Sequence, residues 1–254
     1  MSAGFIIVIP ARHASTRLPG KPMQDIAGKP LVQHVYESAL SSEAERVIVA
    51  TDDERISRAV AAFGGHAVMT ETHHQSGTDR ITEAIDRLDI SDETIIVNLQ
   101  GDEFGLPPAI INQVPAAMRT RPDFHMATLC ERLTDPLELD NPNIVKVIFN
   151  KDNAAIYFSR SAIPWHDAAP GDSDSGFSCQ PYRHIGIYGY RAGFLRTFTG
   201  LPHCQLEQSE KLEQLRALYY GYRVYVEVAV AKGGVGVDTP EDLELARKIA
   251  EKTV

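Results

Sequence analysis

No stretch of this 254-residue sequence is apolar for the roughly 18 residues that a membrane span takes. The apolar run near its start, FIIVI, is too brief for a secretory leader, and no basic segment precedes it. Cysteine is scarce. Cys130, Cys179 and Cys204 are odd in number and lack metal-ligand spacing, so they read as free thiols in a reducing compartment, which points to the cytoplasm. An excess of positive charge is missing too. With 25 Lys and Arg against 34 Asp and Glu, the net charge of -9 argues against nucleic acid or an anionic membrane as a partner. Low-complexity tracts and internal repeats are absent. So are two nucleotide fingerprints. No GxGxxG follows the first apolar run, and a Walker A loop fails because Ser15 stands at its first glycine and Pro22 follows Lys21.

What is present is an alternation. FIIVIP, RVIVATD, HAVMT and TIIVNLQGDE are apolar runs rich in Val and Ile on both parities. Between and after them, LVQHVYESAL, ERISRAVAAFG, DRITEAIDRL and PAIINQVPAAM carry apolar residues at helical spacing. This predicts an α/β fold: a mixed, mostly parallel sheet with helices on both faces. The second half reads as an α+β elaboration. ATLCERL, NIVKVIF, AAIYFSR, HIGIYGYR and YRVYVEVAV are predicted strands, and QLEQSEKLEQLRALYYG is predicted as one helix. The Gly-, Ser- and Asp-rich stretch over 166–183 reads as a surface loop, mobile or closing on something. The closing stretch GVDTPEDLELARKIAEK is predicted to hold a last helix, capped by Asp238 or Thr239 and with Pro240 in its first turn. One domain over 1–254 is expected, with about 125–230 carrying the elaboration.

Ligands of such sheets bind beyond the carboxyl ends of the strands. PARHASTRLPGKP, ATDD and QGDE all fall at predicted strand ends, so they should line one crevice. The first of these, residues 10–22, concentrates Arg12, Arg17 and Lys21 in an otherwise acidic protein and contains no acidic residue. A single such cation is most often solvated. Three on a loop shaped by Pro and Gly suit a polyanion such as a triphosphate.

PARHASTRLPGKPMQDIAGKP resembles the signature loop of the nucleotidyltransferases that activate sugars with CTP. With ATDDERI, HQSGTDR, IIVNLQGDE, NPNIVKVIF, AIYFSRSAIPW, RHIGIYGYR, LEQLRAL and GVDTPEDLE, the chain resembles the 3-deoxy-manno-octulosonate (Kdo) cytidylyltransferase family over essentially its whole length. The resemblance implies transfer of CMP from CTP to the anomeric hydroxyl of Kdo, with release of pyrophosphate, for lipopolysaccharide synthesis. Alternatives are a cytidylyltransferase for another sugar acid (an amino-substituted octulosonate or a sialic acid), a catalytically silent nucleotide sensor, or a sugar-1-phosphate transferase.

It also implies the roles of residues. Arg12, Arg17 and Lys21 would hold the triphosphate of CTP, with Arg12 and Lys21 nearest the leaving phosphates and catalytic together with Asp102. Magnesium would be held by Asp102 and Asp238, a suitable pair because this ion usually takes one or two carboxylates and keeps several waters. Ser76, Gly77 and Arg80 of HQSGTDR would bind the cytosine end of CTP. Ser76 or Thr78 reads equally well as a helix cap; Asp238 before Thr239–Pro240 reads more readily as a cap when the residues are taken alone, and one aspartate can do both jobs. The sugar acid would meet Gln100, Arg160, His184, Tyr188, Glu213 and Gln214. Arg160 suits a carboxylate, since a guanidinium binds one bidentately. His184 and Tyr188 share a strand face by two-residue periodicity. Glu213 and Gln214 flank the helical series Leu212, Leu215 and Leu218, where a solvated face is the plainer reading for Glu213. A homodimer through the second-half strands is implied as well. One departure stands out: the family motif QGDEP reads QGDEFG here, and losing that proline should free the backbone around Phe104 and Gly105.

Overall fold

All five residues of FIIVI are buried in the computed structural model, which describes residues 4–14, 17–165 and 179–252. They open β1 (Phe5–Ala11), whose Ile7 and Ile9 face one hydrophobic core while Ile6 and Val8 face another. Side chains leave a strand alternately to its two faces, so a run without polar alternation needs cover on both.

After a 3-10 turn at Lys21–Met23 come β2 (Asp25–Ile26), β3 (Lys29–Pro30), α1 (Leu31–Leu40), β4 (Arg46–Thr51) and α2 (Glu54–Ala62). Then follow β5 (Ala67–Met69), α3 (Gly77–Arg87), β6 (Ile95–Leu99), β7 (Glu103–Phe104) and α4 (Pro108–Thr120). The second half runs β8 (Met126–Arg132), α5 (Pro136–Leu139), β9 (Lys146–Phe149), β10 (Ala155–Ser159), β11 (Tyr182–Arg191) and α6 (Ala192–Thr199). It ends with α7 (Gln205–Glu210), α8 (Gln214–Tyr219), β12 (Val224–Val228), β13 (Val235–Gly236) and α9 (Pro240–Glu251).

Among the described residues, nine strands make one mixed sheet, ordered β10, β9, β11, β6, β1, β4, β5, with β8 and β12 joined beside β11. The first-half strands β6, β1, β4 and β5 are all parallel. β11 is antiparallel to β6, β8 and β9, so the second half continues the same sheet instead of forming its own. Helices α1, α2, α4 and α9 bury their apolar stripes on one face, and α3, α6 and α8 on the other. β1 lies between β4 and β6, where the winding reverses, so a crevice opens beyond its carboxyl end.

Two expectations are corrected. The helix predicted over QLEQSEKLEQLRALYYG is broken into α7 and α8 at Lys211, whose φ is +56°. The turn brings the Arg216 guanidinium back onto both oxygens of Glu207, at 2.9 and 2.6 Å. A buried bidentate ion pair repays the roughly 1–2 kcal/mol of one left-handed residue. Of the stretch read as a loop, residues 166–178 lie outside the described residues, and Tyr182 and Arg183 already belong to β11.

Candidate active site

Beyond the end of β1 lies a cleft of about 330 Å³. It is walled by Arg12, Arg17 and Lys21 after β1, by Gln100 to Asp102 after β6, by His74 to Gly77 with Arg80 at the start of α3, and by Asp238. Two glycines let these walls meet. A Cβ on Gly101 would stand 2.7 Å from the Pro10 carbonyl oxygen, and one on Gly77 would stand 3.1 Å from the Pro10 ring. Either side chain would push β1 away from its neighbour.

Lys21 sits at the centre. Its Nζ donates to Asp102 Oδ2 at 2.5 Å and to Asp238 Oδ1 at 2.9 Å, and Arg17 reaches the other oxygen of Asp238 at 3.0 Å. Burial would lower the Lys21 ammonium pKa, but the two carboxylates outweigh it and raise it. Burial would raise the Asp238 carboxyl, but Lys21 and Arg17 hold it below its ordinary value. The cap question is settled by Thr239, whose hydroxyl accepts the Asp242 amide at 3.2 Å, while the Asp242 carboxylate reaches back to the Thr239 amide. Asp238 is thereby released from capping, so the expectation that one aspartate does both jobs is corrected.

Asp102 and Asp238 are far apart in sequence, and a two-stranded ladder brings them together. β7 pairs antiparallel with β13, Phe104 opposite Val235 and Glu103 opposite Gly236, and the Val237 amide donates to the Asp102 carbonyl at 2.9 Å. The backbone expected to be freed around Phe104 is therefore tied down. Phe104 is buried, and its ring meets His34 of α1 edge-on at 5.1 Å. Pairing and ring packing replace the constraint a proline would have supplied. Within the ladder, burial aided by Asp102 pushes the Glu103 carboxyl up to about 7.

At the start of α3, Ser76 is the helix cap: its hydroxyl accepts the Asp79 amide at 3.0 Å, and Asp79 returns the bond to the Ser76 amide at 3.1 Å. Arg80 borders the cleft but is buried, with its guanidinium bound to Asp52 Oδ2 at 2.7 Å and to the hydroxyl of Thr70.

The six residues expected at the sugar acid are not all together. Gln100 lines the cleft. His184 and Tyr188 share one face of β11, with ring centroids 5.2 Å apart. A bulge between Ile185 and Tyr188 could have separated them, but it inserts two residues against β8 and so preserves parity. Burial pushes the His184 imidazole down to about 3, so it is a neutral hydrogen-bonding group beside Thr128 Oγ1, at 2.9 Å. Glu213 accepts a hydrogen bond from the Thr78 hydroxyl and pairs with Arg216 at 3.4 Å, so it is not a solvated helix face. Gln214 is buried at the start of α8. Arg160 spends two of its five donors on carbonyls, Nε on Glu210 and Nη1 on Pro142, both at 2.9 Å.

Several partners escaped sequence reasoning. Asp52 lies in the quoted ATDD motif, but nothing local announces its pairing with Arg80. Glu83 gathers the His74 imidazole, the Glu71 amide and Arg87, and so fastens the cleft wall over 71–74 to α3. Burial would raise its carboxyl, yet those donors hold it at about 2. Lys146 is buried with its ammonium on the carbonyls of Asn141, Ile144 and Arg160, at 2.6 to 3.0 Å.

The donor set also suits a divalent cation. Among the described residues no cluster of three or more metal-ligating side chains occurs. Asp102 and Asp238 nevertheless converge on one cation, the Lys21 ammonium, and two carboxylates with waters are a usual shell for magnesium.

Proteins of similar sequence and fold are known. The cytidylyltransferase family model matches residues 6–227. A 3-deoxy-manno-octulosonate cytidylyltransferase of Hahella chejuensis is 50% identical over 255 residues, covering 100% of each chain. One of Vibrio vulnificus is 51% identical, covering 96% of this chain and 97% of its own. A solved CMP:2-keto-3-deoxy-manno-octonic acid synthetase complexed with CTP superposes with a TM-score of 0.89 at 43% identity, covering 99% of this chain and 100% of the other.

Proposed function

The chain belongs to the cytidylyltransferase family, and from that premise we propose how its residues divide the work. The reaction is transfer of CMP from CTP to Kdo: the anomeric hydroxyl attacks the α-phosphorus, the bond to the β-phosphate oxygen breaks, and pyrophosphate leaves. Such a transfer needs alignment and neutralisation of the charge that builds on the leaving group.

Arg12, Arg17 and Lys21 neutralise the triphosphate, with Arg12 and Lys21 at the leaving phosphates. Ser76 and Gly77 form the wall against the base, the first as helix cap and the second through its close approach to Pro10. Arg80, held by Asp52, Thr70 and the Glu71 carbonyl, shapes that wall at the cytosine end. Asp102 and Asp238 hold magnesium, which when bound supplies charge neutralisation and orientation of phosphate oxygens. Gln100, Glu213 and Gln214 serve the sugar hydroxyls, with neutral His184 and Tyr188 beneath the ring. Arg160 remains the cation for the sugar carboxylate, using donors beyond the two that hold it to Glu210 and Pro142. We place the enzyme in the cytoplasm, where CTP is supplied, as a homodimer of single-domain subunits.

The observation that carries this reading is the convergence of Lys21, Arg17, Asp102 and Asp238 at the mouth of one cleft. A pyrophosphate-release assay crossing the four nucleoside triphosphates with Kdo, an amino-substituted octulosonate and a sialic acid tests it, with and without magnesium. Release is expected only with CTP, Kdo and the metal together. Equal turnover in a chelator sinks the metal assignment, and faster turnover with another sugar acid shifts the substrate.

A further inference from the structure

Arg160, assigned above to the sugar carboxylate, is held by charged groups on both sides of its backbone. Lys146, buried on β9, donates from its ammonium to three carbonyls: Asn141 at 3.0 Å, Ile144 at 2.7 Å and Arg160 itself at 2.6 Å. An ammonium has three donors, so every one is used. The Arg160 amide donates to Glu210 Oε2 at 2.9 Å, and the other oxygen of that carboxylate accepts the Ser159 hydroxyl at 2.6 Å. The guanidinium is fixed by neighbours of the same groups. Its Nε donates to the Glu210 carbonyl, and its Nη1 to the carbonyl of Pro142, which lies between the two loop carbonyls that Lys146 holds. One ammonium thus fixes both the backbone that carries the guanidinium and the loop that receives it. Among the described residues, Nη2 and the second N–H of Nη1 take no hydrogen bond, a fork that suits the two oxygens of a carboxylate. The neighbouring contacts bring the sugar-ring side close. The Val145 carbonyl accepts the His184 amide at 2.7 Å, and the Phe158 ring, two residues before Arg160, meets the His184 imidazole edge-on at 5.2 Å.

We propose that Lys146 and Glu210 are positioning residues for the sugar acid and act through Arg160. Lys146 sets the Arg160 backbone and the loop under its guanidinium, and Glu210 sets the same backbone from the other side. A long side chain held in this way gives up little freedom when the carboxylate arrives. The inference rests on the reading of Arg160 as the cation for that carboxylate.

The test uses the full-length enzyme with CTP and Kdo. Lys146→Met keeps the stem and removes the ammonium, Glu210→Ala removes the carboxylate, and Glu210→Gln keeps an oxygen for the Arg160 amide. KM for Kdo, kcat and the CTP dissociation constant are measured for each variant, alone and combined with Arg160→Ala. Lys146→Met and Glu210→Ala are expected to raise KM for Kdo about tenfold, while CTP affinity stays within about twofold and Glu210→Gln recovers most of the loss. In the Arg160→Ala background neither should raise KM further, because both act through that residue. A merely structural role would shift both substrates alike and would add to Arg160→Ala. Equal effects on Kdo and CTP, or additive effects in the double variants, overturn the proposal. Should Lys146→Met not fold, the half-buried Glu210 decides by the same two comparisons. Arg160→Ala separates the two layers. If it raises KM for Kdo and the Lys146 and Glu210 variants do not, the positioning role falls and the sugar reading stands; if it leaves KM unchanged, the sugar reading falls and takes the proposal with it.

Discussion

The two halves of the sheet treat their charged groups differently. At the ends of the parallel strands, Lys21 and Arg17 are paired with the side chains of Asp102 and Asp238 at the edge of an open cleft. In the antiparallel half, Arg160 and Lys146 bond to backbone carbonyls, and Arg216 is buried against Glu207. The first kind of pairing can be exchanged for a ligand, since a cation released from a carboxylate is free to take a phosphate and the carboxylate is free to take a metal. The second kind holds loops in place, and a ligand must share the side chain with the fold.

The largest effect should therefore appear in the parallel half without a loss of stability. Asp102→Asn is expected to cut turnover at least about a hundredfold at saturating magnesium, roughly 2.7 kcal/mol of transition-state stabilisation. CTP affinity, measured by calorimetry, should fall far less. Retention of more than about a tenth of wild-type turnover would show that Asp102 is not a metal ligand.

The contrast between the halves is sharpened by one pair of variants. Lys21→Ala should lower single-turnover rates about thirtyfold and CTP affinity about threefold, because its charge matters most as pyrophosphate departs. Its melting temperature should stay near wild type. Arg160→Ala should raise KM for the sugar acid more than tenfold and also destabilise the fold by about 1–2 kcal/mol, since the carbonyls of Glu210 and Pro142 lose their donor. Denaturant unfolding of both proteins decides the matter. If Lys21→Ala is the less stable of the two, the distinction between exchangeable and structural cations collapses.

The smallest effect concerns a carboxylate of the nucleotide half that behaves structurally. Glu83 is held at about 2, below its unfolded value near 4.5, by donors that outweigh burial. A depressed folded pKa stabilises above the unfolded pKa, and that contribution disappears as pH falls from about 4.5 through 2. With Arg87 half-exposed, screening reduces the contribution to about 1 kcal/mol. Unfolding of wild type and Glu83→Gln should differ by that amount at neutral pH and converge near pH 2. A constant difference across the range would mean that the carboxylate charge contributes nothing.

Much of this was legible in residues taken one neighbourhood at a time. The Val- and Ile-rich runs became β1, β4, β5 and β6, and the cations after the first run reached the cleft that its strand end predicts. Ser76 was open between a ligand contact and a helix cap, and its cap geometry is plain. The failures share a cause. The helix through Lys211 had good periodicity, but its course was decided by Arg216 turning back to Glu207. The loosened backbone expected at Phe104 was overruled by pairing with Val235, a residue no local pattern connects to it.

The sequence by itself determined the alternation of the main strands and helices, narrowed each of the two helix caps to a pair of neighbouring residues, and placed the cationic loop, because burial periodicity and capping act over a few residues. Only the tertiary structure decided which charges meet. Lys21 lies 81 residues from Asp102 and 217 from Asp238, yet one ammonium holds both. That encounter depends on β7 pairing with β13, and so on the chain returning along the whole sheet before α9 begins. No propensity records such a return. It is set by the packing of α9 onto the core that α1 and α4 share, which fixes where the last ladder, and with it Asp238, comes to rest.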